Sequence, residues 1–225
     1  TYMTGQFLGS HDEDGFKQKL LDAKVAKEDA DAMALVAATL QITAKGQPVI
    51  YYGEEIGLTG LNNYPYQTNR YDFDWSLAND SNKTYSHYKK LLSIRNAYTD
   101  VFARGTRKVV ASSDKDKYDV AAREYQGTKL YVGMNVNTKE LQLTIPVTEG
   151  DASVMTDLYS GKTYVVNGGK VTVTIPSAAD GGTVILKRTG SVSSGSSSAS
   201  TSEPKKDQTS AVKKDTIVSA DGSKS

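Results

Sequence analysis

The chain has 225 residues, with 27 Lys and Arg against 26 Asp and Glu and a formal net charge of +1. That length allows one or two domains, and so even a balance excludes a broad basic field for nucleic acid or an anionic membrane surface. There is no cysteine, which excludes a disulfide framework, thiol catalysis and a thiolate metal site; no apolar run is long enough to span a bilayer.

The chain opens on Thr1, without an initiator Met or a basic and apolar leader. It runs straight into a predicted strand over residues 2–8, and is read on that ground as a piece of a longer protein. The strand ends in Ser10-His11-Asp12-Glu13. A helix is predicted over residues 28–45, where Met33, Val36, Leu40 and Ala44 recur at three-to-four spacing. Gly46 stops it and Pro48 bars its continuation. The apolar run 49–52 reads as a parallel strand buried on both faces. The turn Gly53-Glu54-Glu55 follows. Strand, acid-bearing tip, helix, strand and acid-bearing tip make a βαβ unit with its ionisable groups at the strand carboxyl ends, where barrel enzymes keep their chemistry. Tyr85, Tyr88, Leu92 and Arg95 mark a second helix ending near Tyr98.

From about residue 105 the pattern changes to short apolar runs between turn signals. Runs 118–125 and 128–135 flank Gln126-Gly127, a hairpin signal. Leu141, Leu143 and Ile145 share one face of an alternating strand. Val165-Val166 and the run 171–175 flank Asn167-Gly168-Gly169, and Gly181-Gly182 precedes a run over 183–186. Seven or eight strands favour an antiparallel sandwich. Residues 189–225 are rich in Ser, Thr, Lys, Asp and Gly and poor in large apolar residues, so they are expected to be a disordered linker.

A carboxylate at a strand's carboxyl end can accept hydrogen bonds from sugar hydroxyls or stabilise positive charge, and an adjacent His can donate to an oxygen. Taken alone, His11 and Asp12 equally suit a helix-capping loop. Three segments together go further. Phe7-Leu8-Gly9-Ser10-His11-Asp12, the stretch from Gln47-Pro48-Val49-Ile50-Tyr51-Tyr52-Gly53-Glu54-Glu55-Ile56-Gly57 to Gly60, and Arg70-Tyr71-Asp72-Phe73-Asp74-Trp75 resemble, in order and spacing, the seventh strand, eighth strand and following loop of glycoside hydrolases of the α-amylase type. The resemblance covers residues 1 to about 188.

It implies a partial (β/α)8 TIM barrel, the last two βα units, over residues 1–104. An all-β sandwich domain over 105–188 and the tail over 189–225 follow. It implies that Asp12 is the third catalytic carboxylate, stabilising an oxocarbenium-like transition state, and that His11 hydrogen-bonds the same sugar. Retaining hydrolysis needs two further carboxyls about 5–5.5 Å apart, which the family places on its fourth and fifth strands. No counterpart to those motifs occurs here. Glu54 and Glu55 are poor substitutes, because adjacent side chains on an extended segment point apart. The 225-residue chain is therefore expected to be inactive by itself, and residues 1–104 to need the missing barrel part as a partner.

Tyr64 and Tyr66 beside Pro65 are candidates to stack on sugar, and Arg70 to reach substrate or to hold a loop. Tyr51 and Tyr52 are assigned to the core, Trp75 to packing beneath the site, and His87 to solvent. Asp114, Asp116 and Asp119 alternate with lysines and read as a solvated hairpin tip rather than a calcium loop. Asn79-Asp80-Ser81 and Asn82-Lys83-Thr84 match the glycosylation pattern. No cofactor is expected in this chain, with calcium allowed for the intact parent. The expected substrate is an α-glucan or maltooligosaccharide, with α-1,6 hydrolysis or glucanotransfer as alternatives within the clan. A non-catalytic carbohydrate-binding or surface scaffold protein is the alternative from another class. Polymeric glucans do not cross membranes, so an extracellular or cell-surface location is expected, without membrane insertion.

Overall fold

The computed structural model describes residues 4–192. The predicted linker from residue 193 onward, and residues 1–3 of the first predicted strand, lie outside the described residues. Two short strands, β1 (Gly5–Gln6) and β2 (Gln47–Pro48), pair in parallel, Gly5 with Gln47 and Gln6 with Pro48. Between them lie α1 (Phe16–Asp22), which sequence patterning did not distinguish, and α2 (Lys27–Thr43). This is the expected βαβ unit, with the second strand two residues earlier than the apolar run suggested. Only one face of the pair is covered. Phe7 is 60% and Val49 48% exposed, so the expected burial of residues 49–52 on both faces is not met within this chain.

Helix α2 carries Glu28 and Asp29 in its first turn, where they complement the helix dipole. Its buried residues include Ala30, Leu35, Val36, Ala38 and Ile42, while Leu40 is exposed. The Met33–Val36–Leu40–Ala44 stripe is thus corrected: small and polar positions are buried because the helix packs against helices and against a sheet. Helix α3 (Lys83–Ala97) begins at Asn82, whose side chain accepts from the Thr84 N–H at 3.0 Å and the Tyr85 N–H at 3.4 Å. The Asn82 amide also donates to the carbonyls of Ile56 and Leu77, both at 3.0 Å. A side chain so engaged is a poor glycosylation acceptor. Helix α4 (Thr99–Arg104) follows directly.

Eight strands complete the described chain: β3 (Thr106–Ser113), β4 (Tyr118–Tyr125), β5 (Thr128–Asn135), β6 (Leu141–Pro146), β7 (Ser153–Asp157), β8 (Thr163–Val165), β9 (Lys170–Ile175) and β10 (Thr183–Ser191). Six form an antiparallel sheet in the order β3-β4-β5-β10-β7-β8, and β6 pairs with β9. The Gln126-Gly127 hairpin is where expected, Tyr125 opposite Thr128, with φ of 45° and 80° at the two turn residues, as a two-residue turn of the I′ type requires. Strand β10 runs on to Ser191, pairing with β7, so residues 189–191 belong to the sheet and not to the tail.

The large sheet is covered on both faces. Tyr131, Val184, Leu186, Val120 and Met155 face the β6–β9 pair, meeting Ile145, Val171, Val173 and Ile175. That is the expected sandwich, with unequal layers. Their neighbours Leu130, Val132 and Ile185 face the opposite way, into a core with Ala38 and Ile42 of α2, Tyr88, Leu91 and Ile94 of α3, and Val101 and Phe102 of α4. Alternating residues of one strand thus serve two cores, and the helices and the sheet share one of them.

Polar groups seal that shared core. Arg123 of β4 is buried, has no carboxylate partner among the described residues, and donates to carbonyls: Thr43 at 2.6 Å, Phe102 at 2.6 Å, Thr106 at 3.1 Å and Gly105 at 3.3 Å. Two of these are helix C-terminal carbonyls, which carry the negative end of the dipole. Arg95 of α3 donates to Ile42, Ala44 and Gly46. His87, expected in solvent, is 3% exposed. Its Nδ1 lies 2.6 Å from the Tyr159 hydroxyl and its Nε2 2.8 Å from the Leu35 carbonyl. A carbonyl can only accept, so Nε2 carries the proton and Nδ1 accepts from Tyr159. The misassignment arose because Lys83, Ser86 and Lys90, its polar neighbours in sequence, surround His87 at the surface, while the groups that bury it, Leu35 and Tyr159, come from distant sequence.

Candidate active site

The residues singled out at the strand ends lie on two loops, residues 9–15 after β1 and residues 53–74 after β2. The loops are bonded along their length. Gly15 N–H donates to Gly60 O at 2.9 Å, Gln18 N–H to Thr59 O at 3.2 Å, and Asn62 N–H to the Asp14 carboxylate at 2.6 Å. The Lys17 ammonium caps Gly57 O at 2.8 Å. The first loop is therefore a ledge fixed to the second, with His11 and Asp12 at its exposed rim.

The Asp12 carboxylate takes a partner on each oxygen. His11 Nε2 is 3.1 Å from Oδ2 and Arg70 Nη2 is 3.2 Å from Oδ1. Arg70 Nε also donates to the His11 carbonyl at 3.0 Å. Each carboxylate oxygen has two acceptor positions, so one on each remains for an incoming hydroxyl. Both contacts are exposed, where even a full ion pair contributes about 0.2–1 kcal/mol; their consequence is orientation of the carboxylate. His11, Asp12 and Arg70 are thus brought together.

Tyr64 and Tyr66 are 89% and 70% exposed, free to stack. Among the described residues no hydrogen bond or ring contact joins them to His11, Asp12 or Arg70. Tyr51 and Tyr52, expected in the core, stand at its margin: Tyr52 is partly exposed, and their hydroxyls donate to Asn69 O at 2.8 Å and Tyr71 O at 2.9 Å. Trp75 is 79% exposed and meets Phe73 at a ring-centroid distance of 4.6 Å, so within this chain it is not the packing anchor expected.

Glu54 and Glu55 fold back on their own turn. Glu54 Oε2 accepts from Tyr51 N–H at 3.3 Å and Glu55 Oε2 from Gly53 N–H at 2.7 Å. Burial pushes the Glu54 carboxyl up to about 7; the Tyr51 N–H opposes this and the charge of Glu55 adds to it. A Cβ placed on Gly9 would lie 2.6 Å from Glu54 Oε1, so the ledge passes close over the end of the Glu54 side chain. Glu54, Tyr51, Tyr88, Asn69 and Ser10 line a cavity of ≈ 50 Å³ beneath the ledge. Among the described residues no group of three or more His, Cys, Asp or Glu could hold a metal ion, and no helix is long and apolar enough to cross a membrane.

Sequence reasoning passed over Asn69, adjacent to Arg70 and 6% exposed. Its side-chain amide donates to Ser10 O at 3.0 Å and to His11 O and Glu13 O at 3.3 Å. Its place directly before the Arg-to-Trp segment is the only mark it carries in the sequence.

Residues 1–90 match the family model described as the alpha amylase catalytic domain. The chain is 30% identical over 200 residues to an amylopullulanase of Thermoanaerobacterium saccharolyticum, an alignment covering 78% of this chain and 15% of that protein. Among solved structures it is similar to an Anoxybacillus α-amylase, at a TM-score of 0.68 and 21% identity over 85% of this chain and 39% of the other. It also resembles the α-amylase of Geobacillus thermoleovorans solved with acarbose, at a TM-score of 0.68 and 19% identity over 83% and 39%. The chain thus spans 15% of the amylopullulanase it matches. At these identities the solved structures establish a shared fold, and the described residues contain sheets without a closed barrel.

Proposed function

We propose, on the α-amylase family membership that these matches support, that the chain is the C-terminal part of a retaining glycoside hydrolase acting on α-glucosidic bonds of starch-like glucans. The observation that carries the proposal is the His11–Asp12–Arg70 cluster at the carboxyl end of β1, within the stretch that matches the catalytic-domain model. The open face of β1–β2, with Phe7 and Val49 in solvent, supports further strands in the same sheet, since parallel sheets are covered on both faces. In this reading the nucleophile and the acid/base lie outside these 225 residues, spaced as retention requires.

The role of this chain's own residues follows from charge. As the glycosidic bond breaks, positive charge grows on the sugar ring. Asp12, aimed by His11 and Arg70, accepts the hydroxyls of the distorted sugar and stabilises that charge without reorganising. His11 donates to the same sugar. Arg70 acts mainly through Asp12, and Tyr64 and Tyr66 offer exposed rings for a more distant sugar unit. Similarity to an amylopullulanase supports a pullulanase-like α-1,6 hydrolase of the same clan as the second reading. The size of such substrates supports an extracellular or cell-surface location.

The test is hydrolysis of maltooligosaccharide by the full-length protein, its Asp12→Asn variant and the 225-residue chain. Loss of about 10²–10³ in kcat for the variant is expected from removing one group that stabilises transition-state charge, and no turnover by the chain alone. Full activity of Asp12→Asn would overturn the assignment.

A further inference from the structure

We propose that Asn69 is a positioning residue for Asp12, acting through the backbone of the ledge; the inference rests on the role given to Asp12 above. Three carbonyls, those of Ser10, His11 and Glu13, converge on one side-chain amide nitrogen at 3.0, 3.3 and 3.3 Å. Carbonyl oxygens that converge repel one another unless a donor sits among them. At 6% exposure, Asn69 fills that place where water has little access. It therefore decides whether the chain can curl through residues 10–13 at all, and that curl sets the height of the Asp12 Cα above the strand end.

The orientation of the amide is fixed by its partners. Asn69 Oδ1 is buried and has no hydrogen-bond partner among the described residues, so turning the group over would set an acceptor against three acceptors. The residue itself is held from two sides, its N–H donating to Leu61 O at 2.9 Å and its carbonyl accepting from the Tyr51 hydroxyl at 2.8 Å. Tyr51 follows β2, so the line of support runs from the second strand through Tyr51 and Asn69 to the ledge of the first. Arg70 and His11 then aim the carboxylate; Asn69 places the backbone from which it is aimed.

The test uses the full-length protein with Asn69→Asp, Asn69→Ala and Asp12→Asn. It reads kcat and KM for maltooligosaccharide from pH 4.5 to 8, with thermal unfolding at each pH. Asp is nearly isosteric with Asn, but when ionised it offers only acceptors to the three carbonyls. Asn69→Asp should lose about 10–10²-fold in kcat at neutral pH, the scale of a misplacement near 1 Å. It should recover as the pH falls and the carboxyl regains an O–H to donate, whereas Asn69→Ala should lose a similar factor without that recovery. An Asn69→Asp profile that follows the parent's would overturn the proposal. So would a loss that tracks thermal unfolding at every pH, since that is the mark of a structural role alone. If Asp12→Asn keeps full activity while Asn69→Asp still shifts the backbone amide signals of residues 10–13, the role given to Asp12 has failed. The catalytic part of the inference then falls with it, and the ledge geometry stands.

Discussion

Replacing Glu54 by Gln should remove a loss of stability that the parent carries as the pH rises. The carboxyl sits partly buried under the ledge, and burial pushes it up to about 7 from its ordinary value of 4.5. With the folded value above the unfolded one, the native chain keeps a proton that the unfolded chain has already released. The stability tied to this group is complete below pH 4.5 and is lost as the pH rises through about 7. That rise corresponds to about 3 kcal/mol. Gln is close to the protonated carboxyl in shape, stays neutral, and its oxygen can still accept from Tyr51 N–H. The two proteins should therefore have equal stability at pH 4. By pH 8 the variant should be more stable by about 3 kcal/mol, with the gap opening between 4.5 and 7. Urea unfolding of the 225-residue chain by far-ultraviolet circular dichroism measures this; fluorescence is the weaker probe, because Trp75, the only tryptophan, is mostly exposed already. Parallel stability curves from pH 4 to 8 would refute the reasoning, since they would mean that Glu54 ionises near its ordinary value.

His87 should act in the opposite pH sense. Burial, chiefly, lowers its imidazole to about 4 from 6.5. Its contribution is complete above pH 6.5 and is lost as the unfolded chain takes up a proton on the way down to 4, about 3 kcal/mol in all. His87→Gln should not show this slope, and an imidazole resonance assigned to His87 by its absence from that variant, if it titrated near 6.5 in the folded chain, would contradict it. Arg123→Met should cost about 3–5 kcal/mol in urea unfolding, because buried carbonyls lose a charged donor. Arg123→Lys should recover less than half, since one ammonium cannot span Thr43, Phe102 and Gly105; a Met variant within 1 kcal/mol of the parent would count against that account.

What the sequence disclosed follows the physics of each signal. The β4–β5 hairpin was legible because Gln126-Gly127 both fixes the turn and sits between two alternating runs. The βαβ unit was legible because Gly46 and Pro48 stop a helix and an apolar run follows. Burial was harder to read. Leu40 fits a helical stripe yet is exposed, while Thr39 and Gln41 beside it are buried, since α2 meets partners on several sides. His87 and Trp75 were placed on the wrong side of the surface for a related reason: exposure depends on what packs from distant sequence. The candidate site divides in the same way. His11 and Asp12 were visible as residue types at a strand end, and Arg70 through the family resemblance of the segment it opens. Asn69 and Glu54 were not assigned roles, because a donor to three carbonyls and a carboxyl beneath a glycine are defined by the backbone that passes over them.

The seam between helices and sheet bears on the site through that backbone. An apolar seam would tolerate sliding, since apolar contact is non-directional. The seam contains Arg95, Arg123, Thr39, Thr183 and His87, all buried and all hydrogen-bonded. Each would be left unpaired by a shift of one residue, at a cost of about 1–3 kcal/mol or more apiece. Such groups fix one register of docking. Arg123 holds the end of α2 at Thr43 O, and Arg95 holds Ala44 O and Gly46 O, so β2 starts from an anchored point. Gln41 of α2 donates to Val49 O at 2.9 Å and Gln6 O at 3.1 Å, tying both strands to the same helix. From there Tyr51 supports Asn69, and Asn69 supports the ledge. The β-region thus does more than cover the helices: its buried arginine fixes the helix end from which the second strand, and then the carboxylate of Asp12, takes its position.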